Sequence, residues 1–275
     1  MWAVARRLDA ALAGRVLTRT DFRVPRWATT DLTGRQAREV RSRGKHVLIR
    51  VAGGLTIHTH LRMDGFWRIG PSGGAASGRP GPASGRPLPA GSGDAGPADH
   101  RIRLILANDR WLAAGYLLGT VAVLPTEREH AVVGHLGPDL LGPDWDADEA
   151  VRRLLAAPGR PVGEALLDQA SLAGIGNLYK AEVLFLRGVS PWRPVADVPD
   201  LAALVGLAKR LLEANKDRAG QVTTGNPARG QETWVYGRAG RPCRRCGTRI
   251  RADGRGRGAA SGERVTFWCP ACQPG

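Results

Sequence analysis

The four cysteines all fall in the last 33 residues, and their spacing carries the clearest chemistry in the chain. Cys243-Arg244-Arg245-Cys246 and Cys269-Pro270-Ala271-Cys272 are two C-x-x-C knuckles. A hairpin that folds one knuckle back on the other sets four thiolates at the corners of a tetrahedron, as a structural zinc site requires. Redox dithiols and extracellular disulfides are the alternatives. Four sulfurs leave no open position for substrate. One structural Zn2+ is therefore expected, held by Cys243, Cys246, Cys269 and Cys272, with its binding supplying folding free energy to a ribbon too small for its own core. From Arg238 to Arg264 there are nine arginines and two acids. On a zinc hairpin this is a basic prong for nucleic acid, the alternative being a solvated surface.

A second constellation is Gly174-Ile175-Gly176-Asn177, set between the apolar run Ala165-Leu166-Leu167 and the helically spaced Leu178, Ala181, Leu184 and Phe185. The stretch reads as helix, two tight turns, helix. Glycine permits positive φ and close backbone approach, and Asn177 stands where an N-cap belongs. A helix starting behind such a turn presents free N–H groups and a positive dipole end, which suits a phosphate. A plain helical hairpin with glycines needed only for the bend is the other reading. Two further spots are notable. Lys45, in Arg43-Gly44-Lys45-His46, is alone among lysines before Lys180 in a chain whose cations are mostly arginine, though an ordinary solvated lysine fits the local sequence. His58 and His60 lack a third metal ligand nearby and read as strand residues.

The formal charge of +15 favours a polyanionic partner, with a membrane surface or simple solubility as competitors. No apolar run is long enough to span a membrane, and no charged-then-apolar leader opens the chain, so a cytoplasmic, nucleoid-associated monomer is expected.

The elements that must position these residues fall into three parts. Residues 1–124 read as an N-terminal antiparallel β-sandwich with a leading amphipathic helix over 2–13. Its strands are expected at 16–22, 46–51, 55–61, 65–69, 102–106, 111–118 and 120–124, with Gly53-Gly54 as a hairpin turn. Within it, residues 70–98 are almost all Gly, Pro, Ser and Ala, and read as a flexible insertion or, alternatively, an interdomain linker. Residues 125–234 read as a helical domain, with Asp146 (backed by Glu149 as a capping box) and Asp200 as N-caps. Residues 235–275 form the zinc-finger hairpin. The fold class is α+β.

Leu166-Leu167-Asp168-Gln169 followed by Gly174-Ile175-Gly176-Asn177-Leu178-Tyr179 resembles the helix–two-turn–helix of the formamidopyrimidine-DNA glycosylase and endonuclease VIII family. Arg43-Gly44-Lys45, His60-Leu61-Arg62-Met63-Asp64-Gly65, and Val235-Tyr236-Gly237-Arg238 with Arg264-Val265-Thr266-Phe267-Trp268-Cys269 resemble three other segments of that family. The resemblance covers nearly the whole chain outside 70–98. It implies DNA in a cleft, with Asn177 and nearby N–H groups on phosphate, and Lys45 entering the active site and contacting the phosphate beside the lesion. It implies that Met63 wedges into the space a flipped nucleotide leaves, and that Arg264 at the ribbon tip reaches nearby phosphates. Without the resemblance Met63 reads as a core residue. The loop between the knuckles is longer than in the family.

The implied activity is excision of oxidised bases from double-stranded DNA, followed by strand cleavage at the abasic site. Base flipping is needed because a stacked sugar carbon is inaccessible. Two departures matter. The Arg-x-Phe wedge of relatives acting on oxidised purines is absent from Leu112–Leu117, which points to the endonuclease VIII side and to pyrimidine lesions. The family's N-terminal Pro-Glu, its nucleophile and general acid/base, is also absent: the chain begins Met1-Trp2-Ala3, inside its first helix. The expectation is that the chain is a shortened reading of a longer enzyme, with Lys45 an accessory group. The rival is a catalytically inactive protein of the same fold that binds damaged DNA. A zinc-ribbon transcription or RNA-binding factor explains less.

Overall fold

The computed structural model describes residues 1–72, 99–218, 220–254 and 265–275. Residues 73–98 of the expected insertion, and Arg264, lie outside the described residues. The chain divides into two compact units, Met1–His135 and Leu136–Gly275.

In the first unit, α1 (Trp2–Leu12) buries Ala5, Leu8, Ala11 and Leu12 along one stripe. Eight strands follow: β1 (Arg19–Phe22), β2 (Ala37–Arg43), β3 (His46–Val51), β4 (Leu55–His60), β5 (Phe66–Pro71), β6 (Ile102–Ala107), β7 (Trp111–Tyr116) and β8 (Thr120–Pro125). They form two four-stranded antiparallel sheets, ordered β1-β6-β7-β5 and β2-β3-β4-β8. Leu8, Leu12, Val47, Ile49, Ile57, Leu104 and Leu106 belong to one buried core with members from both sheets and α1.

Strand β2 is an addition to the expected set. It reads Ala-Arg-Glu-Val-Arg-Ser-Arg and buries Ala37 and Val40, three positions apart, because a bulge between Ala37 and Glu39 shifts its register against β3. Its charges are accommodated on the face away from that core, where Arg50 pairs with Glu39. A short helix, α2 (His130–Val133), ends the unit. Residues 125–135 group with the sandwich because Glu129, 8% exposed, accepts two hydrogen bonds from Arg50 (2.9 and 2.6 Å) and one from Thr56 (2.6 Å).

The second unit holds α3 (Ala147–Leu155), α4 (Val162–Ala165), α5 (Asn177–Leu186) and α6 (Leu201–Asn215), then the hairpin of β9 (Arg251–Asp253) and β10 (Thr266–Trp268). Asp146 caps α3 through the Glu149 N–H (3.0 Å), and Asp200 caps α6 through the Ala203 N–H (2.8 Å). The Glu149 carboxylate binds Arg152 and Arg153. The helices share a core of Leu154, Leu166, Ile175, Leu184, Leu204 and Val205 among others. Among the described residues, no helix is long and apolar enough to cross a membrane.

Candidate nucleic-acid interface

In the first unit, β2 and β3 are joined by a two-residue turn, Gly44-Lys45, between the register pair Arg43 and His46. Gly44 has φ +55, and Lys45 is half-buried in the turn, one residue before β3. Three histidines sit behind it. The β3–β4 register places His46 opposite His60, and His46 Nδ1 lies 2.7 Å from His58 Nε2. The His46 ring stacks on His58 at 5.0 Å, meets His60 edge-on at 4.8 Å, and lies 6.3 Å from His135.

Burial pushes His46 down to about 3, with repulsion from the neighbouring His60, His58 and His135 rings adding to it, and pushes His60 to about 4, with His58, Lys45 and Arg62 adding; burial also lowers His58. His46 and His60 are therefore neutral at pH 7. His58 Nδ1 is buried with no partner among the described residues. A bare nitrogen is cheaper to leave there than an N–H, so the network assigns the hydrogen to His58 Nε2, which donates to His46 Nδ1. The Arg62 N–H donates to His60 Nδ1 (3.0 Å), which leaves His60 Nε2 as its N–H. Among the described residues the histidine nitrogens do not converge as metal ligands do. His58 and His60 lie on β4, and His46 and His135 join them from β3 and the end of the unit. The signal for His46 was its position beside Lys45 and its register with His60.

Met63, on the turn after β4, is 87% exposed, so it has no part in the core.

In the second unit, the two turns before α5 are stapled by Gln169. Its Oε1 accepts from the Gly174 N–H (3.1 Å), and its Nε2 donates to the carbonyls of Leu167 (3.0 Å) and Ile175 (3.2 Å). Gly174 takes φ +96, where a side chain would be strained and a Cβ would stand 3.1 Å from the Asp139 carboxylate. The N-cap of α5 is Gly176, with Asn177 as the first helical residue, a shift of one from the expected cap. Among the described residues no side chain caps this end and no acid lies in its first turn, which leaves the positive helix end open to an anion. The Asn177 amide donates to the Val265 carbonyl (2.8 Å), and its Oδ1 is buried without a partner among the described residues.

Two buried charges in α5 escaped sequence reasoning. Glu182, fully buried, accepts from the backbone N–H groups of Trp234 (2.8 Å), Val235 (2.9 Å) and Tyr236 (2.9 Å), and from the Thr223 hydroxyl. Lys180, 1% exposed, donates to Thr266 Oγ1 (2.9 Å). Both tie α5 to the cysteine hairpin. The visible signal was two charged residues within an otherwise apolar helix.

The four cysteine sulfurs lie within 4.8 Å of one another, with Cys243–Cys272 at 3.9 Å and Cys246–Cys269 at 3.5 Å. A zinc ion bound to four thiolates separates the sulfurs by about 3.8 Å, so the donor set fits such an ion in chemistry and spacing. Hydrogen bonds from Thr248 lower the Cys246 thiol to about 6, whereas burial raises Cys269 and Cys272. A bound dication would hold all four as thiolates.

Residues 2–114 match the formamidopyrimidine-DNA glycosylase N-terminal domain, and residues 136–223 match the formamidopyrimidine-DNA glycosylase H2TH domain. The chain is 56% identical to the probable endonuclease 8 2 of Streptomyces coelicolor over 277 aligned residues, covering 100% of this chain and 92% of that protein. It is 46% identical to the DNA-(apurinic or apyrimidinic site) lyase Nei2 of Mycolicibacterium smegmatis, covering 98% and 95%. Its fold is similar to that of Lactococcus lactis formamidopyrimidine-DNA glycosylase non-covalently bound to DNA containing an AP site, with a TM-score of 0.77, 21% identity, and coverage of 99% and 97%.

Proposed function

Because the chain belongs to the formamidopyrimidine-DNA glycosylase and endonuclease VIII family, we propose that it excises oxidised bases, pyrimidines foremost, from double-stranded DNA and cleaves the strand at the abasic site. The observation that carries this reading is the amino end of α5: an uncapped, acid-free helix start behind a Gly174 turn, built to take a phosphate. The backbone N–H groups at the start of α5 bind the phosphate, and the second hydrogen of the Asn177 amide, whose first goes to Val265, adds to them. Lys45 and the basic ribbon, with Arg264, grip flanking phosphates. His60 offers Nε2–H as a neutral donor. Met63, already in solvent, enters the duplex with little desolvation cost and offsets the stacking lost when the nucleotide is extruded.

Cys243, Cys246, Cys269 and Cys272 hold one zinc ion, which closes the ribbon and takes no part in the reaction because four sulfurs fill its coordination. The abasic-site step needs an amine that attacks the sugar carbon and a carboxyl group that moves protons. By resemblance these come from the family's Pro-Glu pair, which residues 1–275 do not contain, with Lys45 accessory. The protein acts as a monomer in the cytoplasm, with damaged DNA as its partner.

Incision of a duplex carrying one oxidised pyrimidine tests this. The native protein is expected to release the base and cut that strand, leaving undamaged duplex intact. Equal binding to both duplexes with no base released overturns the reading and favours the inactive DNA-binding rival.

A further inference from the structure

Four of the chain's six histidines gather on one patch of the first unit. His46 and His60 are a direct cross-strand pair, and His58 lies two residues back along β4. All three therefore share one face of their sheet, opposite the core residues Val47, Ile49 and Ile57. The titratable neighbours of His46 are His60, His58 and His135, and those of His60 are His58, Lys45 and Arg62. No carboxylate is among them, so the patch lacks an anion of its own. An arginine-rich chain does not need imidazoles for charge, and His46 and His60 carry none at neutral pH. What a neutral imidazole supplies is a directed hydrogen bond.

The hydrogen positions form a chain. His58 Nδ1 is buried without a partner among the described residues, so the His58 hydrogen is assigned to Nε2, which points at His46 Nδ1, 2.7 Å away. A neutral ring holds one hydrogen, and its site is set by what the other nitrogen does, so His46 carries its own on Nε2. That nitrogen has no hydrogen bond among the described residues and is not one of the buried unpartnered atoms, so it is open to solvent. His60 Nε2–H is open in the same way, because the Arg62 N–H occupies Nδ1. Two N–H donors, on rings 4.8 Å apart, thus stand beside Lys45 with fixed tautomers.

We propose that His46 donates its Nε2–H to the DNA phosphate that Lys45 contacts, with His58 as the positioning residue that fixes the His46 tautomer. The lysine attracts the phosphate from any direction, and the imidazole accepts it along one line. A neutral donor displaces no counterion from DNA, so His46 adds affinity without adding salt dependence. The inference rests on the base-excision reading above and adds a binding residue to it.

The test uses His46→Asn and His46→Gln, with Lys45→Ala in parallel. An asparagine oxygen takes the place of Nδ1, which keeps an acceptor for His58 but removes the outer donor. A glutamine N–H takes the place of Nε2 and keeps that donor. Both variants lose the ring, so a packing role would impair them alike. Affinity is read on a duplex carrying an abasic-site analogue, and on undamaged duplex, over a range of salt. His46→Asn should lose about tenfold on the abasic duplex, as expected for one hydrogen bond to a charged group. Its slope of log affinity against log salt should equal that of the wild type, whereas Lys45→Ala should flatten it. The loss should be the same at pH 6.5 and pH 8, and His46→Gln should recover most of it.

Wild-type affinity in His46→Asn, with Lys45→Ala impaired, would overturn the His46 contact and leave the base-excision reading standing. Equal losses in the two His46 variants would show a packing role and overturn it too. A salt slope flattened in His46→Asn as much as in Lys45→Ala would mean a cationic ring and overturn the neutral donor. A wild type that binds abasic and undamaged duplex equally overturns both the parent reading and the contact.

Discussion

The first residue of α5 shows how much a single side chain is asked to do. The Asn177 amide is tied to Val265 of the ribbon hairpin while the helix end it opens is bare. Asn177→Ala is expected to weaken lesion-duplex binding by about tenfold, roughly the worth of one hydrogen bond to a charged group. Lys45→Ala is expected to flatten the slope of log affinity against log salt by about 0.9, the release of one counterion. Titrations at several salt concentrations read both, and unchanged slopes count against the assigned phosphates.

The histidine cluster has its own signature. His46 and His60 have folded-state values of about 3 and about 4, below the ordinary 6.5. The unfolded chain therefore binds more protons between about 6.5 and 3, and stability is lost as pH falls through that window. Thermal midpoints of the first unit should drop from pH 7 to pH 4.5, and His46→Gln should reduce that drop by about 3 °C. A slope identical to wild type means His46 is not held neutral.

At the scale of elements, α5 is the post on which the ribbon hangs. The buried Glu182 carboxylate serves three consecutive N–H groups at the hairpin's entrance. Glu182→Ala strands those donors, at a cost on the order of 4 kcal/mol. Limited proteolysis should cut first near Trp234. A variant as resistant as wild type would show that the tie is dispensable.

This element also marks where sequence reading succeeds and stops. The turn glycines, the Asp146 and Asp200 caps and the cysteine knuckles were legible because local chemistry fixes each of them. Strand β2 was not, since a bulge breaks the period-two pattern between Ala37 and Glu39. Neither was the partnership of Glu182 with residues 52–54 positions away, nor the joining of His135 to His46, because both depend on tertiary contact. The cap moved by one residue because Gly176 takes the extended conformation that a cap needs.

For the whole molecule, two terms govern behaviour: the proposed metal and the charge. Loss of zinc should unfold the hairpin, because β9 and β10 pair over three residues and lean on Cys243 and Cys269 in a small shared cluster. Chelation or Cys246→Ser should release one zinc per chain and abolish lesion binding while the helical signal from α3 and α6 persists. Clean protein with no zinc would refute the assignment. The charge of +15 brings any polyanion to the surface, so affinity alone says little about purpose.

Covalent chemistry is the sharper criterion. Borohydride reduction of the native protein mixed with abasic-site duplex traps a Schiff base between an enzyme amine and the sugar. The expected result is a stable protein–DNA adduct on abasic duplex and none on undamaged duplex. A salt-sensitive mobility shift with no adduct at any protein concentration would contradict the account and leave a protein that only binds damage.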